Sequence, residues 1–254
     1  VSIYDNGKVS SHLRFNTQRV MFSLSNLYLR DFNINLGLKY QNYHTDDFLR
    51  TEYSYSGGDL NFLSAFGKFQ FDDRDSKYFP TDGGFVDGGY ELVFGDVGSN
   101  EHWFSTFRIR ANASISLTDR LCFIPEVSYR MLGEYGSDWI PFCNYVGGME
   151  NGRYVDHQMS FVGINNIEMV EDNAIIGSAT LRCRLWTKHY VSAIASWLRT
   201  ADIFESMFNT DGRGYGGYGL MYQYDTPIGP IGLTAHYSTF SRNTGLYLSL
   251  GYYF

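Results

Sequence analysis

The nine residues 246–254 read L-Y-L-S-L-G-Y-Y-F, and their alternation constrains the fold more than any other stretch of the chain. Leu246, Leu248, Leu250, Tyr252 and Phe254 fall on one apolar face, and Gly245, Tyr247, Ser249, Gly251 and Tyr253 on a face of small and hydroxyl-bearing groups. A period of two is the signature of a β-strand. An apolar strand with no polar tail is a pairing hazard in a soluble sheet, which normally blunts or covers such an edge. A strand that faces lipid within a closed sheet escapes that hazard.

The same alternation recurs and predicts twelve strands: residues 8–15, 19–29, 32–41, 61–72, 85–95, 102–118, 121–132, 174–186, 189–198, 213–224, 231–240 and 246–254. Residues 1–4 read as the tail of another, ahead of an Asn6-Gly7 turn, so the chain is expected to begin partway through a strand and to be the C-terminal part of a longer polypeptide. The pattern slips within 19–29, which suggests a bulge. In the long strand 102–118, Trp103, Phe107, Ile109, Ala111, Ala113, Ile115 and Leu117 face one way and Thr106, Arg108, Arg110, Asn112, Ser114 and Ser116 the other. Two arginines pointing into a sandwich core would be ruinous. In a hydrated lumen they are expected, with Asp87, Glu91 and Glu126 on neighbouring strands as counter-charges. Arg130, Arg182 and Arg184 fall on predicted inward faces too. This set reads either as a solvated lining or as an anion or loop-docking site.

Composition agrees with an all-β antiparallel transmembrane barrel. The chain holds 21 Tyr, 20 Phe and 4 Trp, more than an ordinary core needs and what two interfacial girdles require. No apolar run approaches the length of a membrane helix, as alternating strands dictate. The net charge of -7 argues against nucleic acid as a partner. Cys122, Cys143 and Cys183 lack metal spacing and are assigned no disulfide. There is no G-x-S-x-G elbow and the six His occur singly, so no catalytic residue, cofactor or metal is expected in this chain.

Two segments break the alternation and carry motifs. Residues 72–84 read D-D-R-D-S-K-Y-F-P-T-D-G-G, a turn by its Pro and Gly content. The pattern of Asp73, Asp75, Phe79, Pro80, Thr81 and Gly83 is similar to a signature of the bacterial surface antigen superfamily, the BamA/TamA-type outer-membrane barrels, where it forms the periplasmic turn ahead of the ninth strand. Residues 133–173 are a long segment with little alternation, and loops of that length are usually functional. Within it Val146, Gly147, Gly148 and Met149 occupy the place of the superfamily's V-R-G-[FY] motif in the sixth outer loop, which folds into the lumen. Five predicted strands follow, as in sixteen-stranded members. Gly147 stands where the motif has arginine, and Arg153 reads either as a free surface arginine or as a partial substitute, with Glu126 or another inward acid within its reach. The strand with alternate apolar residues ending on Phe254 resembles the C-terminal signal strand of outer-membrane barrels. The V-G-G form, S-F-V-G-I at 160–164 and the ending look most like barrels at the C-terminus of patatin-like phospholipases from Bacteroidetes-type bacteria.

The resemblance implies a bacterial outer-membrane barrel, residues 1–254 being its C-terminal part, with up to sixteen strands in the complete protein and loop six in the lumen. Strands and a periplasmic or passenger domain would precede it. The function implied is anchoring or translocation of that upstream domain. An outer-membrane insertase or assembly factor, an outer-membrane lipase and a passive porin stand as alternatives. The partners implied are outer-membrane lipids and lipopolysaccharide, an upstream passenger domain or other outer-membrane proteins.

Overall fold

The computed structural model describes residues 2–5, 8–12, 15–29, 31–45, 48–49, 54–55, 58–95, 102–133, 141–152, 155–209 and 212–251. The chain opens with a hairpin, β1 (Ser2–Asp5) and β2 (Lys8–His12), and continues into β3 (Phe15–Leu29) and β4 (Phe32–Thr45). A small hairpin, β5 (Phe48–Leu49) and β6 (Ser54–Tyr55), precedes β7 (Gly58–Asp72), β8 (Gly83–Gly95), β9 (His102–Ser116) and β10 (Leu121–Leu132). Three short strands come next: β11 (Asn144–Gly147), β12 (Gln158–Met159) and β13 (Ile167–Glu171). The chain ends in five long ones: β14 (Asn173–Trp186), β15 (His189–Ala201), β16 (Arg213–Thr226), β17 (Gly229–Ser238) and β18 (Thr244–Leu250).

Among the described residues, eleven strands form one antiparallel sheet in the order β18-β17-β16-β15-β14-β10-β9-β8-β7-β4-β3. Each wall strand hydrogen-bonds its neighbours in sequence, apart from the excursions between β4 and β7 and between β10 and β14. The expected count of twelve is corrected here. Residues 8–12 do form a strand, but it pairs only with β1, and that hairpin lies beside β13 rather than extending the wall. Its alternation was too short to distinguish a wall strand from a separate hairpin. The slip in β3 is a bulge: Leu24 pairs with Leu36 and Leu27 with Ile34, so the intervening span is one residue longer on β3 than on β4.

The two faces of the wall differ as the sequence predicts. Leu246, Leu248 and Leu250 are 59–69% exposed, and Leu36, Leu38, Trp103, Trp197 and Leu220 point outward with them. The inward face of the wall carries Gln41, Ser64, Thr106, Ser196, Thr234 and His236, all buried. A polar inside and an apolar outside invert the soluble pattern and suit a wall in lipid. Aromatics frame the outer face: Trp186 lies at the foot of β14 in register with His189, and Trp197 lies eight residues along β15. At about 3.4 Å per residue and a tilt of about 40°, that span is roughly 21 Å high, close to the apolar band of outer-membrane barrels.

The sheet is curled rather than flat. Arg19 on one edge strand, β3, reaches Asp156 at 2.6 Å, and Tyr247 on the other edge, β18, reaches Glu150 at 2.5 Å. Laid flat, those edges would stand ten spacings or about 48 Å apart. Glu150 and Asp156 are six residues apart, at most about 20 Å of extended chain. The wall therefore wraps around the segment between β10 and β14, which forms the core.

Candidate functional site

Both ends of the lumen are occupied by segments that fold inward. At the end with short turns, residues 73–82 are held first by their own hydrogen bonds. Asp75 Oδ1 accepts from the amides of Thr81 (2.8 Å) and Asp82 (3.3 Å), while its Oδ2 accepts from the Thr81 hydroxyl (2.6 Å). The turn is only lightly buried, and the slight desolvation that would raise the Asp75 pKa is outweighed by these bonds, which hold it below the usual carboxylate value. Asp73 and Gly84 exchange backbone and side-chain hydrogen bonds across the neck, and Gly83 adopts φ 101. The turn then docks on the inner wall. Phe79 stacks on Tyr190 of β15 with centroids 4.1 Å apart, and the Arg182 guanidinium of β14 lies over both rings and donates to the Pro80 carbonyl. Ser116 donates to the Thr81 carbonyl at 2.8 Å, beside buried Cys122. All six signature residues thus lie in one docked element.

The inward charges pair in part as expected. Arg108 meets Asp87 at 2.5 Å and Arg110 meets Glu126 at 2.8 Å, with Asn112 also donating to Glu126. Glu91 departs from expectation: it pairs with Lys39 of β4 at 2.6 Å, a cation not considered in the sequence reading. Among the described residues, Arg182 and Arg184 meet no lumen acid either, donating instead to backbone carbonyls of Pro80 and Asp119 at the turn end. Alternation located the face but could not assign partners across strands. Arg153, Tyr154, Tyr252 and Phe254 lie outside the described residues.

At the opposite end, the segment between β10 and β14 builds an inner sheet in the order β12-β11-β13, with β11 parallel to β12 and antiparallel to β13. Pro141 to Gly148 are all buried. Two apolar clusters fasten this sheet to opposite parts of the wall. Phe142 fits edge-on among Tyr43, Phe62 and Phe104, with centroids 4.8–5.8 Å away. Val146, Met159, Phe161, Ile164 and Met169 pack with Ala174, Ile176 and Leu198 of β14 and β15. Polar contacts complete the seating: His236 to Asn165 at 2.6 Å, Tyr247 to Glu150, Arg19 to Asp156, and Arg130 to the Asn144 side chain at 3.1 Å and to His157. Burial first, and then the charge of Arg130, push the His157 pKa well below the usual histidine value, so a neutral ring accepts the Arg130 hydrogen bond. Burial would raise the Asp156 pKa, but the hydrogen bond and charge of Arg19 prevail and hold it below the usual value.

The glycines at the motif serve the packing of the loop on itself. Gly147 (φ 130) lets the backbone approach its own loop, since a Cβ there would stand 2.1 Å from the Asn166 carbonyl oxygen. Close approach to the wall occurs instead at Gly217 of β16, where a Cβ would stand 1.8 Å from the Val162 carbonyl oxygen. Met149 is half-buried beside Gly148, whose carbonyl accepts from the Phe161 amide at 3.1 Å.

The wall is thus polar-lined and antiparallel, with an inward turn before β8 and an inward loop before the last five strands. The family model of the OMP85 superfamily matches residues 6–254. The chain belongs to this superfamily. Its members are outer-membrane barrels, and the segment between β10 and β14 is the inward-folded loop six. Among solved structures, BamA from Haemophilus ducreyi lacking POTRA domains 1-3 superposes with a TM-score of 0.69 at 12% identity, over 93% of this chain and 54% of that one. The likeness shows a common fold, and the chain spans about half the length of that structure. No curated protein is similar enough to count as a match.

Sequence reasoning located loop six but missed most of what holds it. Arg19, Phe142, Glu150, Asp156, His157 and His236 all contribute contacts. The available signal was the density of large apolar residues, Phe142, Tyr145, Val146, Phe161 and Ile164, in a stretch with no strand period.

Proposed function

We propose that the barrel anchors a preceding part of its own polypeptide in the outer membrane, with loop six as a resident plug. On this reading residues 1–254 are the C-terminal barrel domain, and further strands and a periplasmic or passenger domain, a patatin-like lipase among the candidates, come before them. Translocation of that part would require the loop to leave. The observation that supports the reading most is the double fastening of loop six, by Phe142 to the side of β4, β7 and β9 and by Phe161 to the side of β14 and β15. A passive porin keeps an open aqueous channel and has no use for such a seal. An insertase is less well supported, because Gly147 replaces the arginine of the motif and cations toward the loop come from the wall, at Arg19 and Arg130.

The test is unitary conductance in planar bilayers. Deleting residues 145–154 should give a larger conductance than the parent protein. Equal conductance would contradict the plug, and with it the anchoring role.

A further inference from the structure

We propose that the outer loop between β15 and β16 is an apolar wedge seated in the outer leaflet, in contact with lipid acyl chains, rather than a loop in water. The chain does not continue upward after Ala201. It turns back over the outside of the wall, where Phe204 packs on Tyr129 of β10 with centroids 6.0 Å apart at 61°. Tyr129 is an outward residue, two positions from exposed Val127 and in contact with Phe107 of β9. It is in register with Ile175, and Ile175 with Arg199, so Phe204 descends to a row two residues below the end of β15. Arg199, on the same outward face as Trp197, clamps the returning end by donating to the Asn209 carbonyl.

Clamped this way, the 3-10 turn Glu205–Phe208 buries Met207 completely and turns Ile203, Phe204 and Phe208 away from the protein, 42–64% exposed. Phe204 and Phe208 touch edge-on at 5.6 Å. The patch is continuous with the lipid-facing wall through Tyr129 and lies just above the row of Trp197, itself 46% exposed. Apolar side chains at that height match the depth at which amphipathic segments settle, about 5–10 Å into the headgroup boundary. Asp202 is exposed and stands 3.9 Å from Arg213 at the top of β16, and Glu205, which opens the 3-10 turn, is exposed as well.

Spin labelling tests this on the whole polypeptide reconstituted in lipopolysaccharide-containing vesicles, with the three native cysteines replaced by serine. Labels at Phe208→Cys and, as a second site, Ile203→Cys should show a ratio of oxygen to nickel-complex accessibility close to that of Leu220→Cys on the wall. The ratio should be several-fold above that of Asn243→Cys, in the exposed loop between β17 and β18. A ratio at both loop sites equal to that of Asn243→Cys would place the loop in water and overturn the proposal. All four positions are at the surface, so none of the labels has to displace a packed core.

Discussion

The turn at residues 73–82 and loop six both fold into the lumen, one at each end, yet they are held there by different physics. The turn is a local object: Asp75 satisfies three donors six and seven residues away, and Phe79 and the Pro80 and Thr81 carbonyls engage the wall. Loop six also has internal ties, three short strands together with Gln158 donating to the Gly147 carbonyl at 2.8 Å and Asn151 accepting from the Ser160 amide at 2.7 Å, but its seating is spread over contacts to β3, β4, β7, β9, β10, β14, β15, β16, β17 and β18. Hydrogen bonds within a turn can be encoded in a dozen residues. A seal against a whole wall has to be encoded in the wall as well.

If that contrast is right, the largest losses come from loop six. Phe142→Ala and Phe161→Ala should each destabilise the barrel by about 3–5 kcal/mol, the range for truncating a buried aromatic, measured by denaturant titration in detergent. Losses near zero would mean that the clusters are not closed in solution. The wall supplies the next effect and a control common to both ends. Leu220→Arg, in register with Ala193 midway between His189 and Trp197, should cost about 2–4 kcal/mol in lipid. Gln223→Arg, on the lumen face of the same strand, should cost much less. Equal costs would deny the assignment of faces.

The turn should yield less. Asp75→Ala removes one acceptor group from an exposed site and should cost about 1 kcal/mol. A loss as large as that of Phe161→Ala would show that the turn seals the lumen as strongly as loop six does. The smallest effect is a pH dependence on the loop-six side. Glu171 of β13 is buried, and burial, opposed by Arg213 at 2.8 Å, raises its pKa from 4.5 to about 7. The folded state then holds this proton more tightly than the unfolded chain does. Its contribution is fully present below about pH 4.5 and is lost as pH rises to about 7. The apparent Tm should fall by a few degrees across that window, and Glu171→Gln should flatten the slope.

The same contrast explains what was legible beforehand. The faces of β4, β8, β9 and β18 follow from alternation alone, because lipid outside and water inside impose a period of two on every wall strand. The turn was legible as a turn from its Pro and Gly content, while its docking on Tyr190 and Arg182, more than a hundred residues on, was not. Loop six was legible in position and in direction, but not in mechanism. That Phe142 would meet Tyr43, Phe62 and Phe104, or that Glu91 would choose Lys39 over an arginine, depends on curvature and stagger that no single strand records. The detached hairpin β1-β2 failed for the related reason that five residues of alternation do not say which sheet they join.

The central claim is that loop six lies inside the wall and touches both of its edges. Short bifunctional thiol crosslinking in native membranes tests it most directly, with the native cysteines replaced by serine and two pairs introduced separately: Arg19→Cys with Asp156→Cys, and Tyr247→Cys with Glu150→Cys. The structure predicts that both pairs crosslink efficiently in the intact protein, because the parent side chains meet at 2.6 and 2.5 Å. If neither pair crosslinks in protein that is folded and inserted, loop six is outside the lumen and the account fails.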